Sequence, residues 1–261
     1  MGVFKKTSEL NTDEKNWVAQ FLEDRAPYNL YFSAAFEALE KGLDNREFLI
    51  SHSFEGVALM ITFDSLKVVT LVGKFLEREL KRLSEMSGRI ELHIDAGHAR
   101  SLLPLFKERL TRTEALKYYR MDKYYPYVAE LEGARLLTPE DFEIAKDFFE
   151  KHYPGTIFSQ WMLEMPFAGL FVDGELVATG GTVAIDKRLK SCNIGNFLTS
   201  PQHRGKRYCQ KVAKFLVNHL FEQGIVTYTL GTTEENVAAW RAYESIGFKL
   251  IDRRIELEAR A

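Results

Sequence analysis

Only two of the 261 residues are cysteine, Cys192 and Cys209. That is too few for a disulfide framework, and their separation is not that of a metal-binding cluster, so a reducing cytoplasm and no metal are expected. Excess charge is missing as well. Lys and Arg total 35 against 37 for Asp and Glu, a net charge of −2, which gives no overall field to draw nucleic acid or an anionic membrane as partner. No uninterrupted apolar run approaches the roughly 18 residues of a membrane span, and the opening stretch MGVFKKTSELNTDEKNW has no apolar core of the signal-peptide kind. What remains is ordinary for a folded chain: 46% hydrophobic and 28% charged, long enough for two small domains or one large one.

The order of elements then repeats. In the second half, LLTPEDFEIAKDFFEKHYPG opens a helix, with Thr138 as cap, Pro139 in the first turn and Phe142, Ala145 and Phe149 as an apolar stripe. A short helix near 159–164 leads to AGLFVDGELVATGGTVAI, two strands joined at the Asp173-Gly174 hairpin signal. A third strand, SCNIGNFLT, is followed by a helix ending before Gly224, the strand IVTYTLG, a helix over 236–246 and a last strand near FKLIDRRIEL. The first half reads the same way. Helices TDEKNWVAQFLED and YNLYFSAAFEALEKG precede strands near EFLISHS, VALMITF and LKVVTLVG; then come helix LERELKRLSEM, strand RIELHID, helix ARSLLPLFKERL and strand ALKYYRMDKYY. This predicts an α/β (α+β) chain of two similar domains, 1–130 and 134–261, meeting near 126–133, each a mixed, largely antiparallel sheet flanked by helices.

Residues 198–217, LTSPQHRGKRYCQKVAKFLV, place two arginines, a lysine and a glycine between a strand and an amphipathic helix. Backbone amides at a helix N-terminus are unsatisfied and partly positive, so a phosphate is held there without dedicated side chains. Arg204, Lys206 and Arg207 would add charge-assisted contacts. Downstream, ENVAAWRAYESIGFKLI carries Asn236, Ala239, Tyr243, Gly247 and Phe248.

Together the two motifs resemble those of the GNAT superfamily of acyl-CoA-dependent N-acyltransferases, V-x-P-x-x-R-G-x-G-x-G/A and N-x-x-A-x-x-x-Y-x-x-x-G-F. The second matches at every stated position. The first departs at Thr199, in place of valine, and at Arg207 and Cys209, where the family has glycine or another small residue. The resemblance covers about residues 134–258. It implies acetyl-CoA or another acyl-CoA as co-substrate, with backbone contacts to the acyl and pantetheine arm at Phe197, Leu198 and Thr199. The pyrophosphate falls to Arg204, Gly205, Lys206, Arg207, Tyr208 and Cys209, and the pantetheine arm also meets Asn236. Tyr243 becomes the proton donor to the departing thiolate, and the acceptor a small-molecule amine, amino acid or peptide.

The general base is left open among His203, Glu164, Asp186 and water held by Asn193 or Asn196, since 187–221 contains no Asp or Glu. Two functions therefore stand: an N-acyltransferase acting by direct attack in a ternary complex, and a non-catalytic acyl-CoA-binding or regulatory module. The first half has no arginine-glycine loop after VVTLVG, and Gly97 and Pro104 stand where the second motif has asparagine and tyrosine. It reads as a degenerate, non-catalytic copy.

Overall fold

A computed structural model describes residues 4–24, 35, 46–63, 66–122, 126, 131–154, 156 and 158–260. Apart from Ala35, the helix expected over 28–42 lies outside them, as do the end of the strand expected to reach 125 and most of the expected 126–133 boundary. Contacts divide the chain into two compact units. The first comprises Met1–Tyr118, Thr233–Glu235 and Asp252–Ala261; the second comprises Tyr119–Thr232 and Asn236–Ile251.

In the first unit, β1 (Lys5–Lys6), β2 (Arg46–Ile50), β3 (Gly56–Phe63) and β4 (Leu66–Gly73) pair antiparallel in succession. Helix α2 (Glu77–Ser84) then carries the chain to β5 (Arg89–Ile94), which is parallel to β4. Alternation in RIELHI puts Ile90, Leu92 and Ile94 on one face. There they are buried with Leu80 and Leu83 of α2 and with Leu102 and Phe106 of α3 (Ala96–Phe106). A second core forms where Val18, Phe21 and Leu22 of α1 (Thr12–Glu23) meet Phe48, Ile50, Val57 and Leu59. Each fully buried side chain of this kind contributes about 1.5–3 kcal/mol.

The second unit repeats the pairing. Strands β7 (Ala134–Leu136), β8 (Phe167–Val172), β9 (Glu175–Asp186) and β10 (Ser191–Thr199) are antiparallel neighbours. Helix α5 (Tyr208–Glu222) leads to β11 (Thr227–Thr233), parallel to β10. Three antiparallel pairings and then a parallel one across a helix thus occur in both units, as the repeated element order predicts. Before β8 runs α4 (Phe142–His152), with Ala145 and Phe149 buried and Phe142 packed beside them. The short helix expected near 159–164 is a 3₁₀ helix, Gln160–Glu164. After β11, α6 (Val237–Ser245) leads to β12 (Lys249–Ala259). β6 (Leu110–Asp122) starts five residues before the strand expected from 115.

The start of α4 rests on Asp141, whose carboxylate takes Arg135 Nη2 at 2.6 Å and Thr138 N at 2.9 Å. Arg135 holds its pKa down at about 2, below the ordinary 3.8. A depressed folded-state pKa contributes stability that is present above the unfolded value and lost as pH falls through the folded one. Stability of this unit is therefore expected to drop by roughly 2 kcal/mol between about pH 4 and pH 2 through Asp141. Asp141→Asn should remove that slope; urea midpoints with the same pH dependence in both proteins would refute this.

Candidate functional site

The site begins with an interruption in β10. Gly195 faces Gly181 and Leu198 faces Thr179, so β10 spends one more residue than β9 on that interval. The extra residue makes a bulge, with Asn196 at φ +56° and its carbonyl accepting from Thr179 Oγ1 at 3.2 Å. Two glycines make room behind it. A Cβ on Gly180 would lie 2.2 Å from the Phe197 ring, and one on Gly181 would lie 2.2 Å from Phe167. On its other side β10 leaves β11: the parallel register runs Ser191–Thr227, Cys192–Tyr228 and Asn193–Thr229, yet β10 continues to Thr199 and β11 to Thr233.

Beyond Thr199 the turn Pro201–His203 leads into the loop. Gly205 (φ +77°) and Arg207 (φ +62°) both take the left-handed conformation. Open space surrounds the Cβ position of Gly205, so the backbone angle, not crowding, selects glycine there. Arg207 adopts such an angle at about 1–2 kcal/mol, and serves as N-cap of α5 without a capping side chain. The first helical bond runs from Lys211 N to Arg207 O, 3.1 Å, which leaves the preceding amides without helical partners.

These elements border a cleft of about 470 Å³ lined by Phe197, Leu198, Thr199, His203, Arg204, Gly205, Arg207, Tyr208, Cys209, Gln210, Asn236, Ala238, Ala239, Arg241 and Ala242. The expected residues 197–199, 204, 205, 207–209 and 236 thus share one cleft, and among the described residues no carboxylate lines it. Arg204 is steadied by its Nε donating to Thr199 O at 3.3 Å. Asn236 caps α6, its Oδ1 accepting from Ala239 N at 3.2 Å. Lys206 does not line the cleft; its ammonium sits 6.0 Å over the Tyr208 ring. Thr199 Oγ1 and Gln210 Oε1 are buried polar atoms without a partner among the described residues.

Tyr243 stands behind the cleft wall. It is 5% exposed, packed against Phe197 at 5.7 Å, Phe248 at 6.3 Å and Tyr119 at 6.4 Å between ring centroids. Burial first, then the nearby Cys209 sulfur, push its pKa upward, so the phenol keeps its proton. Burial raises Cys209 to about 12, making it a neutral thiol and a poor nucleophile.

The candidate bases separate. Asp186 pairs with Ser191 at the opposite end of β10 from the loop, and its Oδ1 accepts from Leu189 N at 2.8 Å. Glu164 is exposed on the 3₁₀ turn. Asn193 Nδ2 donates to Thr229 Oγ1 at 3.0 Å, where the strands part. His203, by contrast, lines the cleft, 2.8 Å from Ser200 Oγ through Nδ1 and stacked on Tyr208. Sequence reading missed the role of Gly180 and Gly181, and also Gln210 and the alanine face of α6; the 238, 239, 242 spacing was the signal for that face.

The profile of the Acetyltransferase (GNAT) family matches residues 112–248. No curated protein sequence matches the chain significantly. Among solved structures, a Drosophila protein aligns at TM-score 0.73 and 12% identity over 99% of both chains. A tandem GNAT protein from the clavulanic acid biosynthesis pathway aligns at 0.58 and 12% identity over 96% of each. A putative GNAT-family acetyltransferase from Novosphingobium aromaticivorans aligns at 0.56 and 19% identity, covering 74% of this chain and 84% of that one.

Proposed function

Because this chain belongs to the GNAT acetyltransferase family, we propose that its second unit transfers an acetyl group from acetyl-CoA to a primary amine of a small molecule, amino acid or peptide, by direct attack in a ternary complex. The observation that carries the reading is the cleft. Amides at the start of α5 that have no helical partner, Arg204 and Arg207, with no carboxylate lining the cleft among the described residues, form an anion cradle next to the parting of β10 and β11. A pyrophosphate and an amide-bearing arm suit those two parts. The neutral Cys209 thiol favours direct attack over an acyl-cysteine route.

Acetyl-CoA supplies an activated thioester. The chain's residues position it and manage protons: amides 208–210 with Arg204 and Arg207 hold the diphosphate, the freed edge of β10 at 197–199 takes the arm, and Asn236 borders it. Tyr243, held protonated by burial, is the donor to the leaving sulfur. The first unit, in this reading, is a non-catalytic domain. A non-catalytic acyl-CoA-binding module remains the second reading. It is favoured by the position of Tyr243 behind the wall and by the lining of the cleft, where no carboxylate stands among the described residues.

Arg204→Ala should weaken coenzyme A binding by about 1–3 kcal/mol, the worth of a charge-assisted hydrogen bond, whereas ligands lacking the diphosphate should lose this sensitivity. Calorimetry giving equal coenzyme A affinity for both proteins would reduce the loop to a basic turn. Thiol release from acetyl-CoA across pooled amines and amino acids tests transfer itself; silence across the panel favours the binding module.

A further inference from the structure

A second concentration of ligating atoms lies in the first unit, far along the sequence from any motif. Glu91 and His93 alternate with the buried Ile90, Leu92 and Ile94, so they share the opposite face of β5. His93 lies directly across from Glu256 of β12 in the antiparallel register. We propose that Glu91, His93 and Glu256 bind a divalent first-row transition ion of the Zn²⁺ type.

Their ligand atoms all lie within 4.8 Å of one another. His93 Nε2 is 2.8 Å from Glu91 Oε1 and 3.7 Å from Glu256 Oε2. Ligands about 2.0–2.2 Å from one ion are separated by about 3 to 3.6 Å, so small side-chain adjustments close the site. A proton cannot do the same. One N–H at Nε2 serves Glu91 and leaves Glu256 Oε2 beyond hydrogen-bond reach, whereas an ion at the centre serves all three and balances both carboxylate charges.

The surroundings orient these ligands as outer partners do. Arg112 holds Glu256 by its other oxygen, Oε1, turning Oε2 toward the imidazole. Tyr118 Oη is 3.4 Å from His93 Nδ1, on the side away from the carboxylates. One imidazole with two carboxylates suits Zn²⁺, Co²⁺ or Mn²⁺ better than an all-oxygen cation. Both strands are regular here, and bridging them would tie the end of the chain to β5.

The test is titration of the intact, chelator-stripped protein with Co²⁺, read by visible absorption, followed by displacement with Zn²⁺. One equivalent should bind, and His93→Gln and Glu91→Gln should each weaken it roughly tenfold or more. Zn²⁺ should raise the Tm of the wild type but not of His93→Gln, with unchanged circular dichroism and coenzyme A binding confirming that the variants fold. Failure of the wild type to bind equimolar Co²⁺, or binding that both variants retain, overturns the proposal.

Discussion

Tyr243→Phe is expected to lower kcat for thiol release by roughly 10- to 1000-fold, since water partly substitutes for a missing general acid, while coenzyme A affinity stays unchanged. The substitution removes one hydroxyl and keeps the ring that packs on Phe197, Phe248 and Tyr119. It therefore isolates the proton from the packing. If the phenol were only a core group, the loss would be at most about the 1 kcal/mol of one hydrogen bond, seen in stability and not in rate. Burial bears on the expectation from two sides. A raised pKa makes the phenol a weaker acid, yet it also ensures that the proton is present across the working pH range. A kcat within twofold of wild type, on a preparation that binds coenzyme A normally, would remove Tyr243 from the mechanism and shift the balance toward the binding module.

What could be read in the sequence was what local chemistry dictates. Pro201, Arg204 and Gly205 before the apolar face of α5 announced a helix N-terminus with cations around it, and Arg204 and Gly205 line the cleft; Asn236, expected from the second motif, lines it too, and its role as cap of α6 came only with the structure. What could not be read depends on distant partners. Nothing local in VATGGTVAI says that Gly180 and Gly181 are flat because Phe197 and Phe167, from other strands, lie on them. The bulge at Asn196 exists only relative to the register of β9. Arg207 in a left-handed conformation contradicts its own preference and is held by the turn around it. The membership of Asp252–Ala261 in the first unit is likewise invisible locally, since the strand pattern of RRIELEA suits any neighbour. The Glu91, His93 and Glu256 cluster escaped for the same reason: its ligands meet only through the pairing of β5 with β12.

Glu79→Ala is expected to destabilise the first unit by about 3 kcal/mol or more, because it strips buried donors of a charged acceptor. Glu79 is fully buried. Its carboxylate accepts from Ser51 Oγ at 2.8 Å, from His52 N at 2.9 Å and from Leu76 N at 2.8 Å, the last at the N-cap of α2. In the repeated topology α2 follows the fourth antiparallel strand, β4, as α5 follows β10 in the second unit. The same dipole end is thus satisfied in one unit by the chain's own anion, whereas in the other it opens onto a cleft. This gives a physical reason to expect one coenzyme A per chain, bound by the second unit. Hydrogen exchange should show faster opening of β2 and α2 in Glu79→Ala, with Glu79→Gln intermediate because it keeps the shape and one acceptor oxygen. Coenzyme A stoichiometry should stay at one in both variants, since removing the carboxylate frees amides but supplies no arginine-glycine loop. Unaltered exchange in Glu79→Ala would show that the buried carboxylate contributes nothing net. Two equivalents of coenzyme A bound by wild type would show that the first unit retains a working cradle, against the reading of it as a non-catalytic copy.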